Sequence, residues 1–186
     1  PEESAALGLL LERLGRADEA EQLYRSFAAL NSKDATRLSP LILFLARQGR
    51  AEEAVALCET AAKTGPVEVV VPAAMTMLSQ LDSSSSDVVE RLGALVERAL
   101  GPTPDSSSSR LILALLRTRQ NRSDEARKLY DQVLKDNPND AGVLNNLAFI
   151  LGSEGDPRAL ELIDRALAIV GPDASLLDTR AMIHLN

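Results

Sequence analysis

Gly15 and Gly49 stand 34 residues apart, Ala20 and Ala54 repeat that step, and Pro104, Pro138 and Pro172 keep it again. No other feature of the chain constrains its fold as strongly. Each period must be one supersecondary unit that buries its apolar face against its neighbours. From Pro66 to Pro104 the step is 38, so one unit carries four extra residues. With that single correction Ala126 falls in line with Ala20 and Ala54, and Gly155 with Gly15 and Gly49.

Within each period two apolar segments recur at helical spacing, separated by a Gly-rich or polar break. The units are therefore helical hairpins. Gly15, Gly49 and Gly155 fall where a first helix ends and the chain turns, a place that favours positive φ. Ala20 and Ala54 fall where the two helices cross closely, so a larger side chain should overpack the crossing. Asp156-Pro157 reads as a helix start, with Asp as cap and Pro at the first helical position. Pro66, Pro104, Pro138 and Pro172 mark the ends of second helices, which Pro cannot continue. Aromatics make up only 3% of the chain and Trp is absent, so Leu, Ala, Val and Ile must build the core.

A period of 34 with Gly, Ala, aromatic and Pro landmarks resembles the tetratricopeptide repeat. The motif residues run Leu7-Gly8…Leu11…Gly15…Ala20…Tyr24 in the first unit and Leu41…Leu45…Gly49…Ala54…Cys58…Ala61…Pro66 in the second. The fourth reads Leu113-Ala114…Ala126…Tyr130…Leu134…Pro138, and the fifth Leu144…Leu147-Ala148…Leu151…Gly155…Pro172. The third, around Met75 to Pro104, is degenerate. The units are placed at 1–34, 35–68, 69–106 with the insertion, 107–140 and 141–174, with a half unit at 175–186. The family's first-helix Trp is replaced by Ser4, Leu38, Arg110 and Leu144, and Phe27 takes the place of a late small residue. The resemblance implies an all-α, right-handed α-α superhelix of about eleven helices.

The four extra residues fit either at Val69 to Pro72 or in the run Ser83–Ser86. The serine run is preferred, because it puts Met75 and Thr76 on the packing face rather than Ser79 and Gln80. Ser83–Ser86 is then an enlarged turn, with Pro72 in the opening turns of the preceding helix. Asp87, three before Glu90, resembles a capping box. The run Asp105–Ser109 is expected to cap the next helix.

The residues contain no catalytic or metal-binding constellation. His184 is the only histidine and Cys58 the only cysteine, which excludes a multi-His zinc site and an intrachain disulfide. Cys58 is expected to be a buried, inert thiol. The acidic pairs Glu2-Glu3, Glu52-Glu53 and Asp124-Glu125 sit at or near helix N-termini, where they complement the helix dipole. No cofactor is expected, and the chain is not read as an enzyme.

The net charge of −7 argues against nucleic acid and anionic membrane as partners. The longest mostly apolar stretch, Val67 to Leu81, is interrupted by Glu68 and Pro72 and is too short for a membrane span. The chain starts at Pro1 without Met, so a processed start is expected and a signal could have been removed. The compartment stays open, with the cytoplasm favoured over export.

What the resemblance implies for function is a protein or peptide ligand held on the first helices. Leu9, Leu43, Met77, Leu115 and Phe149 occupy one equivalent inward place, continued by Ile183, with Asn145 a turn before Phe149. Arg13, Arg47 and Arg119 fall a turn later and line one wall. The Lys and Asn clamp of the family's chaperone-tail binders is missing, its places being held by Ala5, Leu9, Ser39, Leu43, Ala73 and Met77. Acidic chaperone tails are therefore not expected to bind. A piece of a longer bacterial repeat protein is expected, because the sixth hairpin stops after its first helix (Leu177, Ala181, Leu185). Two other roles stay open: a substrate-recruiting arm of a kinase- or glycosyltransferase-type enzyme, and an array self-associating through its open C-terminal helix.

Overall fold

The computed structural model describes residues 2–31, 34–64, 70–81, 86–101 and 104–185, with residues 2–4, 35 and 64 described in backbone only. Ser32, Pro66, Val69 and Ser83–Ser85 lie outside the described residues, as do the side chains of Glu2, Glu3 and Ser4. Among the described residues the chain forms eleven α-helices and one 3-10 turn, with no strand. Two compact units divide it, residues 1–102 and residues 103–186.

In the first unit α1 (Glu2–Arg13) pairs with α2 (Ala17–Ala29), and a 3-10 turn (Ala35–Leu38) leads into α3 (Ser39–Arg47). α3 packs on α2, on its hairpin partner α4 (Ala51–Thr64) and on α5 (Val71–Gln80), while α6 (Ser86–Leu100) packs on α4 and α5. In the second unit α7 (Ser107–Arg119) pairs with α8 (Ser123–Asp136), and α9 (Ala141–Ser153) with α10 (Arg158–Val170). α11 (Ala174–Leu185) lies against both α9 and α10.

Four hairpin turns close in one way. Gly15, Gly49 and Gly155 have φ of 73°, 73° and 71°, and Asn121 takes the same place in the fourth hairpin with φ 57°. At each, the next residue's N–H reaches five residues back: Arg16 to Leu11 at 2.9 Å, Arg50 to Leu45 at 2.9 Å, Arg122 to Arg117 at 2.8 Å and Asp156 to Leu151 at 2.9 Å. That bond satisfies a carbonyl the helix end would leave orphaned, and it requires the left-handed residue between. The helix starts are capped as their residues dictate. Ser106 Oγ accepts from Ser109 N at 3.1 Å, Asp140 from Val143 N at 3.0 Å, and Asp156 from Arg158 N at 2.9 Å. Asp156 thus caps as expected, although the helix begins at Arg158, after Pro157.

The crossings inside the hairpins are dense. Ala20, Ala54 and Ala126 are fully buried, as their spacing required. A second pair of places trades volume from hairpin to hairpin. Gly8 faces Tyr24, and a Cβ on Gly8 would lie 2.3 Å from the ring. The equivalent pairs, all buried, are Ile42 with Cys58, Ala114 with Tyr130 and Ala148 with Ile163. A small first-helix residue accompanies a large second-helix one, and the reverse, which keeps the interior filled.

The third hairpin departs from expectation. Ala73, Ala74, Met77 and Leu78 are buried on α5, whereas Met75 and Thr76 are only half-buried. Met77-Leu78 therefore matches the buried pairs Leu41-Ile42 and Leu113-Ala114, 36 residues away on each side (77 − 41 and 113 − 77). In packing terms the four extra residues divide, two before and two after α5. α6 starts at Ser86, so that serine is helical, and Asp87 lies inside the first turn, 3.4 Å from Arg91, rather than capping it. Pro72 does sit in the first turn of α5.

Candidate protein-interaction surface

In the first unit the first helices and the 3-10 turn build one cleft. Asp34 Oδ1 accepts from Thr36 N at 3.1 Å, which fixes the turn that brings Thr36, Ser39 and Pro40 to the rim. Ala5 and Leu9 of α1 face Leu43 of α3 across a cavity of about 270 Å³. Leu9 is 45% exposed, a large apolar side chain left in solvent, and Leu43 is half-buried. Arg47 also lines it.

Arg47 is held there by a two-pronged ion pair. Its Nε and Nη2 donate to Glu12 at 3.0 and 2.7 Å, and Tyr24 Oη donates to the same carboxylate at 2.9 Å. Burial first, and then the hydrogen bond to Glu12, push the Tyr24 phenol above its ordinary range, so it stays a neutral donor. The result is a mostly apolar trough with a fixed, compensated guanidinium in its lining.

In the second unit the corresponding places hold Leu115, Asn145 and Phe149. Leu115 is half-buried and Phe149 is 48% exposed on α9. Asn145 is half-buried, and its Oδ1 is enclosed without a hydrogen-bond partner among the described residues. Ile183 packs onto Gly152, where a Cβ would stand 2.5 Å from it, so this residue fastens α11 to α9. Arg119 and Arg13 are exposed, and the charge of Arg119 acts on the buried Tyr130.

The structure thus brings together Leu9, Leu43 and Arg47 around one cleft and leaves Phe149 in solvent. It does not do so for Met77, which at 1% exposure is part of the core and offers no surface, with Ser79 taking the outward place on α5. The register shift in the third hairpin is the reason. Sequence reasoning missed Tyr24, Thr36 and Pro40 as lining residues, since a second-helix aromatic and an irregular turn carry no first-helix signal. It also missed Arg117, buried at 9% exposure, whose Nε donates to Glu125 at 3.0 Å and whose Nη1 donates to Gln120 at 2.8 Å. Arg117 stands where the other repeats carry Leu45 and Leu151, and that break in a leucine column was the available signal.

Cys58 is fully buried, and desolvation pushes its thiol up to about 12, so the reactive thiolate is suppressed. His184 is exposed. Among the described residues no three His, Cys, Asp or Glu side chains gather as metal ligands, and no helix is long and apolar enough to cross a membrane.

The tetratricopeptide repeat profile matches residues 5–68, 89–141 and 111–174. A cellulose synthase operon protein C of Pseudomonas fluorescens is 30% identical over 132 residues, spanning 68% of this chain and 10% of that protein. A tetratricopeptide repeat protein from Parabacteroides merdae superposes with a TM-score of 0.76 at 20% identity, covering 98% of this chain and 70% of the other. YrrB, described as a tetratricopeptide repeat protein with an unusual peptide-binding site, gives 0.69 at 16% identity, covering 96% and 90%. With hairpin after hairpin closed by the same left-handed turn, and with the profile matching most of its length, the chain belongs to the tetratricopeptide repeat family.

Proposed function

We propose that this chain is a non-catalytic interaction module whose first helices hold a segment of a partner protein. The observation that carries this reading is the cleft between α1 and α3, where Leu9 and Leu43 present apolar surface beside the fixed Arg47. The exposed Phe149 of the second unit supports the same reading for α9. So does the likeness in fold to YrrB, a protein described as having an unusual peptide-binding site. The match to a tenth of the cellulose synthase operon protein C supports a scaffolding arm within a longer protein of that kind.

A photoreactive residue at position 9, introduced in the host cell, tests this. Crosslinking to a defined partner is expected, and Leu43→Asp should abolish it while far-UV circular dichroism stays unchanged. Crosslinking that survives both Leu43→Asp and Phe149→Asp would sink the reading, as would a loss that merely follows a loss of helicity. An acidic C-terminal tail peptide should show no binding, since no clamp stands at Ala5, Leu9, Ser39 and Leu43.

A second reading, self-association through α11, is favoured by one observation. Leu177 and Leu185 are 46% and 86% exposed on α11.

A further inference from the structure

In the first unit, arginines tie neighbouring second helices together. Arg50, at the start of α4, reaches Glu21 of α2 at 2.6 Å, and Arg25 of α2 reaches Glu53 of α4 at 3.4 Å. Arg91 of α6 reaches Glu59 and Glu52 of α4 at 2.8 and 3.1 Å. In the second unit the two second helices, α8 and α10, flank a cavity of about 360 Å³. Among the described residues no ion pair crosses it. Arg127 turns to Asp124 at 2.7 Å and to Glu154 of the preceding turn, and Arg158 to Asp156 at 2.7 Å. Its lining comes from α8 and α10 with Leu147 and Leu151 of α9, and includes neither Leu115 nor Phe149.

Leu147 and Leu151 of α9 and Leu162 of α10 line the cavity. The lining carries Arg127, Lys128 and Arg158 against Asp124, Asp131 and Glu161. Arg127 is paired with Asp124 and Glu154, and Arg158 with Asp156 and, more weakly, with the charge of Asp131, so that Lys128 faces Glu161 and the remainder of Asp131. Asp131 and Glu161 come from opposite walls, α8 and α10. We propose that this cleft takes an arginine side chain from a partner protein. Its aliphatic stem lies on the leucines, and its guanidinium bridges Asp131 and Glu161 as Arg91 bridges Glu59 and Glu52. A guanidinium fits better than an ammonium, because its planar fork can donate to two carboxylates at once.

The probe is a fluorescein-labelled peptide of alternating leucine and arginine, with a copy in which citrulline, neutral but isosteric, replaces each arginine. Fluorescence anisotropy on the full chain should give saturable binding of the arginine peptide and binding at least about tenfold weaker for the citrulline copy. Asp131→Asn combined with Glu161→Gln should weaken the arginine peptide about tenfold, whereas Glu53→Gln in the first unit should change it less than about twofold. Lys128→Glu, an exposed change that does not threaten the fold, should tighten binding about threefold. Equal affinity for the two peptides would overturn the proposal. So would unchanged affinity in the double variant, a weaker peptide in Lys128→Glu, or no saturable binding. Failure here leaves the interaction reading of Leu9 and Leu43 standing, since none of these variants touches α1 or α3.

Discussion

Ile42 and Cys58 hold in the second hairpin the places that Gly8 and Tyr24 hold in the first, and Ala114 and Tyr130 in the fourth. The trade is testable by a double-mutant cycle. Ile42→Ala alone leaves a cavity and should cost about 2–5 kcal/mol. Cys58→Tyr alone overpacks the crossing and should cost about 1–3 kcal/mol or more. Together they recreate the Ala114–Tyr130 pair, so the double variant should lose less than the sum; simple additivity in urea melts would refute the trade. Burial also sets a pH dependence. Cys58 and Tyr130 are each held up to about 12 in the folded chain, from ordinary values of 9.0 and 10.0. Because the folded chain resists ionisation, their stabilisation is complete below those ordinary values and is lost as pH rises towards 12. Melting temperatures should fall across that window, and less steeply in Cys58→Ala. At the residue scale much was legible in the sequence: Gly15, Gly49 and Gly155 follow from spacing alone. Asn121 does not, because its side chain disguises a residue that tolerates the left-handed conformation nearly as well.

Among the elements, α7 carries the least expected feature. Arg117 lies in a leucine column and is held by Glu125 and Gln120. Only the Arg117 end of the pair is buried, since the Glu125 side chain is 44% exposed. A well-packed apolar residue often serves as well as a buried charge, whereas removing the partner leaves that charge behind. Arg117→Leu should therefore be neutral or stabilising, by up to about 2 kcal/mol, while Glu125→Ala should destabilise by about 1–3 kcal/mol. If both variants destabilise equally in denaturant melts, the guanidinium has a role that packing cannot replace. α5 marks the limit of the sequence. A shift of two residues turns a helix by more than half a revolution, so the choice of where extra residues fall decides which side chains are buried. Met75 and Met77 are both apolar, and nothing local separates them. The cleft was half legible for a related reason: Leu9, Leu43 and Arg47 belong to the periodic first helices, but Thr36 and Pro40 come from an irregular turn that no period describes.

At the scale of the whole chain, α1 and α11 are set apart by the apolar side chains they leave in solvent. Leu7 and Leu10 on α1 are exposed, whereas their counterparts Leu41 and Phe44 are covered by α2, with the Tyr24 and Phe44 rings 5.5 Å apart. On α11, Leu177 and Leu185 are exposed but Ile183 is not free to report on association, because it fastens α11 to Gly152. If α11 mediates self-association, light scattering should show a mass above the monomer that Leu177→Asp with Leu185→Asp returns to the monomer. An oligomer that survives both changes would exclude α11 as its interface. The volume trade inside the hairpins has a consequence for engineering and for descent. These repeats look like interchangeable cassettes, yet their helices are not. Grafting the second helix of the fourth hairpin onto the first helix of the second would drive Tyr130 into Ile42, and the opposite graft would leave Cys58 opposite Ala114 with a hollow between them. Recombination in such a chain can move whole hairpins but not half of one, so the breakpoints that survive should fall between units and not at the left-handed turns.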